Sequence, residues 1–100
     1  MSVEIPVEVP AELEPLLPGF LASRQRELVE LDQALLGADF SRVKFIGHNM
    51  KGVGGGYGFD QVTELGERFE RTASAEDLTA TSECLADYRD FLACMRVVLI

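Results

Sequence analysis

His48 is the only histidine in the 100-residue chain, and it limits the chemistry that the sequence can support. Sites built on two or three imidazoles are excluded. A zinc site is not predicted either, because one histidine and two distant cysteines lack a recognisable ligand spacing. Cys84 and Cys94 lie on different faces of a helical segment at about 100° per residue, so they cannot bridge within it. What remains is the chemistry of one imidazole and its neighbours.

Helical geometry places His48 on the solvent side of its predicted helix. The apolar residues of this helix lie roughly 140° to 160° from it at about 100° per residue: Val43, Ile46, Met50 and Val53. Within roughly 60° of it lie the small or polar residues Ser41, Lys44, Lys51, Gly52 and Gly55, and also Phe45, at about 60° on the exposed side. We therefore expect an imidazole that is more than half exposed, opposite the core.

Gly52 lies one turn beyond the imidazole on the same face. Glycine costs a helix about 1 kcal/mol relative to alanine, and it removes all side-chain bulk. A partner that must approach the ring closely would account for that cost. An ordinary solvated helix face would not.

The charge distribution favours a negatively charged group at His48. The whole chain holds 9 Lys plus Arg and 17 Asp plus Glu, a net charge of −8. Residues 40–59 nevertheless contain three cations, Arg42, Lys44 and Lys51, and no acid, a local charge of +3. This combination favours a phosphoryl group on the ring and an acidic partner surface beside it. The overall negative charge makes nucleic acid an unexpected partner.

The run His48-Asn49-Met50-Lys51-Gly52, followed by small residues and then Tyr57-Gly58-Phe59, resembles the signature of histidine-containing phosphotransfer (HPt) domains. In that family the His is followed by a Lys three residues on, a Gly four on and a second Gly ten on. The similarity extends to the flanking helices and so covers most of the chain. It implies that His48 is the phosphoacceptor, that Lys51 places positive charge near the phosphoryl oxygens, and that Gly52 leaves room for a receiver-domain loop.

The resemblance implies one further member of the site. Similar domains carry a Gln or Glu twenty-two positions after the His, which is Glu70 here. Antiparallel packing across the glycine-rich turn would bring His48 level with about residues 66 to 70. A carboxylate there can accept a hydrogen bond from Nδ1 and leave Nε2 unprotonated and nucleophilic. Gly47 matches the small residue usual before the His.

By the same resemblance the chain is a phosphorelay carrier without kinase activity, and its partners are response-regulator receiver domains or a hybrid histidine kinase. We expect Lys44, Phe45 and Gly55 to contact the partner. No cofactor is expected, because the Mg²⁺ that neutralises the transferring group would belong to the receiver. The run Gly54-Gly55-Gly56 is not a nucleotide site, since no strand precedes it and no Gly-Lys-Ser/Thr follows.

Two alternatives stay open. The first is the substrate domain of a chemotaxis-type histidine kinase, which Glu70 favours slightly over a Gln at that position. The second is a non-catalytic helical adaptor that binds its partner through the bundle surface. Phe45 would serve as its anchor, although an adaptor has no need of exposed His, Lys and Gly at this spacing.

The elements that position these residues follow from the prolines, glycines and apolar spacing. All four prolines lie in the first eighteen residues, so residues 1–17 are predicted as an extended arm with room for a short helix, and residues 18–100 as the bundle. The first long helix runs from Pro18 to a stop at Gly37. Capping side chains mark the later helix starts: Asp39, then Asp60, then Ser74 with Asp77.

The predicted fold is all-α, an antiparallel up-down four-helix bundle. The core stripes outside the histidine helix contain Phe20, Leu28, Leu31 and Leu35, then Val62, Leu65, Phe69 and Ala73, and finally Leu78, Leu85, Tyr88, Leu92 and Met95. No run approaches the roughly 20 apolar residues of a membrane span. We expect a cytoplasmic monomer with both cysteines as small core residues. The sequence leaves open whether the apolar end Val97–Ile100 packs on its own bundle or on a second copy.

Overall fold

Four helices and a two-stranded sheet make up the computed structural model, which describes residues 3–100. In chain order the elements are strand β1 (Ile5–Val9), a 3₁₀ helix (Ala11–Leu16), α1 (Leu17–Leu36), α2 (Phe40–Gly54), a second 3₁₀ helix (Gly55–Tyr57), α3 (Asp60–Ser74), α4 (Leu78–Cys94) and strand β2 (Met95–Leu99). The predicted four-helix bundle is confirmed. No helix in the described range is long and apolar enough to cross a membrane.

Aspartate side chains start two of the helices. Asp39 accepts a hydrogen bond from the Arg42 N–H (3.1 Å) at the start of α2, as predicted. The prediction for the third helix was wrong, because Phe59 is the residue before α3 and Asp60 is its first residue, with no side-chain cap. Asp60 still lies in the first turn, where a carboxylate favours the helix dipole.

The predicted start of the fourth helix at Ser74 was also wrong. Ser74 is the last residue of α3, and Asp77 alone caps α4 by accepting a hydrogen bond from the Ala80 N–H (3.0 Å). The chain turns between the two helices at Glu76, whose φ is +52°. This turn places Ser74 and Asp77, which were predicted to form one capping box, in two different helix ends.

Most of the predicted stripe residues form the core. The buried members are Phe20, Leu28, Leu31, Val43, Ile46, Met50, Val62, Leu65, Phe69, Ala73, Leu85 and Tyr88. Leu35, Leu92 and Met95 are half-buried. Two predictions were wrong, since Val53 is 37% and Leu78 48% exposed. Both lie in the terminal turn of a helix, α2 and α4 respectively, where neighbouring elements cover less of the helix surface.

A buried polar cluster joins α1 to α4. Arg24 is nearly inaccessible, stacks on the Phe20 ring and donates two hydrogen bonds to the Glu27 carboxylate (2.7 and 3.0 Å). The Tyr88 hydroxyl donates a third to Glu27 Oε1 (2.7 Å). Burial and the adjacent carboxylate raise the pKa of Tyr88 well above its usual range. Arg24 and Glu27 thus make their hydrogen bonds within the bundle rather than with solvent.

The two ends of the chain pair with each other in a parallel sheet, in the register Ile5↔Met95 to Val9↔Leu99. Val7 and Val9 of β1 are fully part of the core. The predicted continuation of the last helix through Met95 was wrong, because α4 ends at Cys94 and Met95 is extended (φ −69°, ψ 147°). The β-branched pair Val97-Val98 suits a strand better than a helix. The apolar end therefore packs on its own chain.

The two cysteines differ in burial, and we expect them to differ in reactivity. Both are free; Cys84 is buried and Cys94 half-buried, so the expected core position holds in full only for Cys84. Burial raises the pKa of the Cys84 thiol to about 11. At about pH 8 such a thiol holds about 100-fold less thiolate than one at the ordinary value of 9.0. Iodoacetamide should therefore label Cys94 first, as read by peptide mass mapping. Equal labelling of Cys84 in the folded protein would contradict the burial.

Candidate functional site

Two glycines bring α2 and α3 into close contact below the histidine. A Cβ on Gly47 would lie 2.8 Å from the Gly66 carbonyl oxygen and 2.8 Å from Phe69 Cβ. A Cβ on Gly66 would lie 2.5 Å from the Gly47 carbonyl oxygen and 2.8 Å from the Lys51 backbone nitrogen. The two backbones therefore touch at a distance that no side chain permits. This crossing brings the histidine turn of α2 next to the middle of α3.

His48 projects from this crossing into solvent, with 72% of its side chain exposed. The predicted exposure of more than half is thus confirmed. Its Nδ1 lies 3.6 Å from Glu70 Oε2, which places the two groups level as the helix-packing prediction required. That distance exceeds the about 3.2 Å limit of an N–H···O hydrogen bond.

Glu70 stands between the histidine and the lysine. Its Oε2 faces His48, and its Oε1 lies 3.9 Å from Lys51 Nζ. Oε1 is buried and accepts no hydrogen bond from the described residues. Lys51 lies at the same distance, 3.9 Å, from Glu67 Oε1, and its own side chain is about half exposed. The lysine is therefore held near the ring by two carboxylates while its ammonium group stays accessible.

The two flanks of His48 on α2 differ in character. At about 100° per residue Lys44 and Lys51 lie on the flank that faces α3, whereas Phe45 and Gly52 lie on the other. Phe45 is 58% exposed. A Cβ added to Gly52 or to Gly55 would meet nothing within 4 Å. The predicted site residues on α2 therefore flank His48, with charge on one side and an apolar, open surface on the other, while Gly55 lies just beyond the end of α2 in the second 3₁₀ helix.

A shallow polar cleft of about 400 Å³ follows the charged flank. Its lining residues come from α2 and α3: Lys44, Lys51, Glu67, Glu70, Arg71 and Ser74. Glu67 and Arg71 were missed as site residues in the sequence. Glu67 lies three residues before Glu70 and four before Arg71, so it shares a helix face with each of them, and this spacing was the available signal. Among residues 3–100, no three or more His, Cys, Asp or Glu side chains cluster as a metal site.

Substitution of Gly47 and of Gly52, the two glycines of α2 near the ring, should change the stability of the protein in opposite directions. Gly47→Ala forces a methyl group against the α3 backbone and should destabilise the protein by about 1 to 3 kcal/mol. Gly52→Ala meets open space in the same helix and should stabilise it by up to about 1 kcal/mol. Urea unfolding of both variants measures the difference. A Gly47→Ala protein as stable as the parent would contradict the close helix crossing.

The arrangement suits nucleophilic chemistry at one accessible imidazole. The ring turns Nδ1 toward a carboxylate that can hold its proton, and leaves most of its surface to an approaching group. A lysine and a cleft with further cations lie beside it. Such positive charge stabilises phosphoryl oxygens during transfer.

Comparison with known proteins identifies the family. The model of the Hpt domain family matches residues 15–96, a range that includes all four helices and the histidine turn. Neither the search of curated proteins nor the search of solved structures found a match. Since the family match covers most of the chain, the protein belongs to the Hpt domain family of histidine phosphotransfer domains in two-component signalling.

Proposed function

We propose that this protein is a phosphorelay carrier that takes a phosphoryl group on His48 from the aspartyl phosphate of one receiver domain and passes it to the aspartate of another. The observation that carries the proposal is the 72% exposed imidazole whose Nδ1 faces Glu70. Hpt domains are carriers rather than kinases, and we assign the same role to this chain. It acts by positioning and charge, without autokinase activity.

The transfer is an in-line displacement at phosphorus. The lone pair of neutral His48 Nε2 attacks, the bond from phosphorus to the aspartyl oxygen breaks, and the aspartate leaves as a carboxylate with the electron pair. The proton on Nδ1 stays in place, so the ring gains positive charge as the N–P bond forms. The Glu70 carboxylate, 3.6 Å from Nδ1, stabilises that charge electrostatically. Return of the group to a second aspartate reverses these steps.

Lys51 and the receiver share the task of neutralising the phosphoryl oxygens. The Lys51 ammonium is near the ring and half exposed, so it can turn toward a phosphoryl group on Nε2. We assign the Mg²⁺ to the receiver's own acidic residues, and no cofactor to this chain. The charge thus comes partly from each protein, which makes full catalysis depend on docking.

Docking uses the open flank of the histidine. Phe45 provides an exposed apolar contact, and Gly52 and Gly55 leave space above the ring for a receiver's loop. Lys44, exposed on the other flank, suits an acidic partner surface. The receiver therefore meets an apolar contact and a charged contact on opposite sides of the reacting atom.

A panel of phosphorylated receiver domains tests the proposal. The protein is incubated with each receiver, and the label on this chain is scored for stability in acid and base. We expect at least one receiver to transfer an acid-labile, base-stable label. Binding of receivers without any transfer would favour the helical adaptor instead.

A second candidate is the substrate domain of a chemotaxis-type histidine kinase, and Glu70 is the observation that favours it. The two candidates differ in the donor of the phosphoryl group. Incubation with ATP and isolated chemotaxis-type kinase domains separates them. Labelling in that reaction, with no labelling from any receiver, would select the second candidate.

Lys51→Ala should slow phosphoryl transfer without abolishing it, because the lysine supplies charge and not the nucleophile. We expect about a tenfold loss in rate, which corresponds to about 1.4 kcal/mol at a half-exposed position. Lys51→Arg should recover most of the rate. Arg89→Ala is the matched control, since it removes a half-exposed cation that pairs with Asp32 on α1. Complete loss of transfer in Lys51→Ala would contradict this role, and so would a transfer rate equal to that of the parent.

A further inference from the structure

The cations of this acidic chain differ in whether a carboxylate neutralises them. The sequence holds 9 Lys plus Arg against 17 Asp plus Glu, so acidic side chains are abundant. Within residues 3–100, the cations that pair with a carboxylate are Arg24, Arg42, Lys51, Arg68, Arg89 and Arg96. Arg26 donates to the Ser23 hydroxyl (2.7 Å). Lys44 and Arg71 are the two cations of this range that have neither a carboxylate nor a hydroxyl partner.

These two cations line the same cleft beside the histidine. Lys44 comes from α2 and Arg71 from α3, and both are exposed. Glu67 precedes Arg71 by four residues, which is the spacing of a helical ion pair. Its Oε1 nevertheless lies 3.9 Å from Lys51 Nζ, on the other side of the cleft. The charges of Lys44 and Arg71 are therefore available to an anion from another molecule.

The antiparallel packing of α2 on α3 places the two free cations toward one end of the cleft. The helices touch where a Cβ on Gly47 would lie 3.1 Å from the Glu70 backbone nitrogen. Lys44 precedes this contact on α2, and Arg71 follows it on α3. Lys51, which the carboxylates hold, lies toward the opposite end. The free cations thus extend the site along the surface that a partner bound at the histidine would cover.

We propose that Lys44 and Arg71 bind an acidic side chain on the surface of the receiver domain, beside its phosphorylated aspartate, and that Arg71 helps this chain to select its receiver. The inference rests on the proposed function. It adds Arg71 to the docking surface as a specificity residue, with no part in the chemical step. An arginine can hold a carboxylate through two parallel hydrogen bonds, which gives the contact a defined geometry.

Charge complementarity favours this partner. A receiver brings anionic groups to the histidine, namely its aspartyl phosphate and the acidic residues to which we assign the Mg²⁺. The net charge of −8 on this chain repels such a surface in most orientations. Two cations without internal partners, next to the reacting imidazole, make the productive orientation the favourable one.

Calorimetric titration with the unphosphorylated receivers of the panel tests docking without any transfer. Arg71→Glu reverses the charge in the cleft, so the dissociation constant should rise about tenfold or more at about 50 mM salt. The difference should shrink at about 500 mM salt, because salt screens exposed charges. Arg26→Glu is the matched control, since it changes the net charge equally at an exposed position of α1. Its dissociation constant should stay within about twofold of the parent value.

Transfer kinetics separate docking from the chemical step. Arg71→Ala should raise the KM for the phosphorylated receiver about fivefold and should change kcat by less than about twofold. Arg71→Lys should recover part of the loss, because it restores the charge without the paired hydrogen bonds. A lower kcat with an unchanged KM would assign Arg71 to the phosphoryl oxygens and overturn the docking role.

The inference and the proposed function fail in different ways. Transfer from a receiver that binds Arg71→Glu as tightly as the parent would keep the phosphorelay role and overturn this inference. Binding that depends on Arg71, with no transfer from any receiver, would keep the docking role and reject the phosphorelay role. Lysine in place of an acidic residue beside the receiver's phosphorylated aspartate should restore binding of Arg71→Glu. A parent that binds no receiver would overturn both.

Discussion

His48→Gln is expected to abolish phosphoryl acceptance and to leave the fold intact. The variant loses the only imidazole in the chain, and glutamine offers no nucleophilic nitrogen at that position. The side chain is 72% exposed, so the change in unfolding free energy should stay within about 0.5 kcal/mol. Transfer assays with a phosphorylated receiver and urea unfolding measure the two effects separately.

Asn49 provides the control for this substitution. It is the next residue of α2 and is also exposed, but it lies about 100° around the helix from the histidine. Asn49→Gln should accept the phosphoryl group at the parental rate. Transfer to the His48→Gln protein would place the acceptor elsewhere and end the phosphorelay proposal.

Gly52→Gln is expected to separate stability from function. A side chain at this position meets open space in the free protein, so glutamine should leave the fold as stable as the parent or stabilise it by up to about 1 kcal/mol. The same side chain lies one turn above the imidazole and would keep a receiver's loop from bringing phosphorus within in-line distance. Misplacement by about 1 Å costs about 100-fold in rate, and we expect a loss of that size.

Gly19→Gln is the matched control for steric bulk. Gly19 also lies in a helix, α1, and also has nothing within 4 Å of an added Cβ, but it is not on the histidine helix. Its transfer rate should equal that of the parent. Equal rates for Gly52→Gln and the parent, with the same receiver at the same salt concentration, would show that nothing docks over this turn. The adaptor hypothesis would then be preferred.

The helices and most of the core were predictable because local sequence encodes them. Asp39 caps α2 through its own neighbour three residues on, and Val43, Ile46 and Met50 repeat at helical spacing. The sheet was not predictable in this way. Ile5 and Met95 pair although they lie at opposite ends of the chain. A local sequence pattern does not indicate which distant segment a strand pairs with. In addition, the five residues of β2 directly follow α4. Both segments are rich in apolar residues, so composition does not show where the helix ends and the strand begins.

The candidate site was predictable to a different degree at each residue. The exposure of His48 followed from the angle between it and the apolar stripe, and its nearness to Glu70 followed from antiparallel packing of α2 on α3. Gly66 was missed, although a glycine within a helical pattern indicates a close approach of backbones. Val53 was wrongly predicted to be buried. Its helical spacing from the core residues continues to the end of α2, but the core does not extend far enough to cover it.

The position of the phosphoryl group on the labelled protein is the sharpest test of His48 as the phosphoacceptor. The protein is isotopically labelled with ¹⁵N and phosphorylated by a receiver, and the phosphorus–nitrogen coupling is recorded by NMR alongside the acid and base stability of the label. We expect an acid-labile, base-stable phosphoryl group on Nε2 of His48, with a proton on Nδ1 facing Glu70. A base-labile label, as an acyl phosphate on an Asp or Glu would give, or coupling to Nδ1, would contradict it.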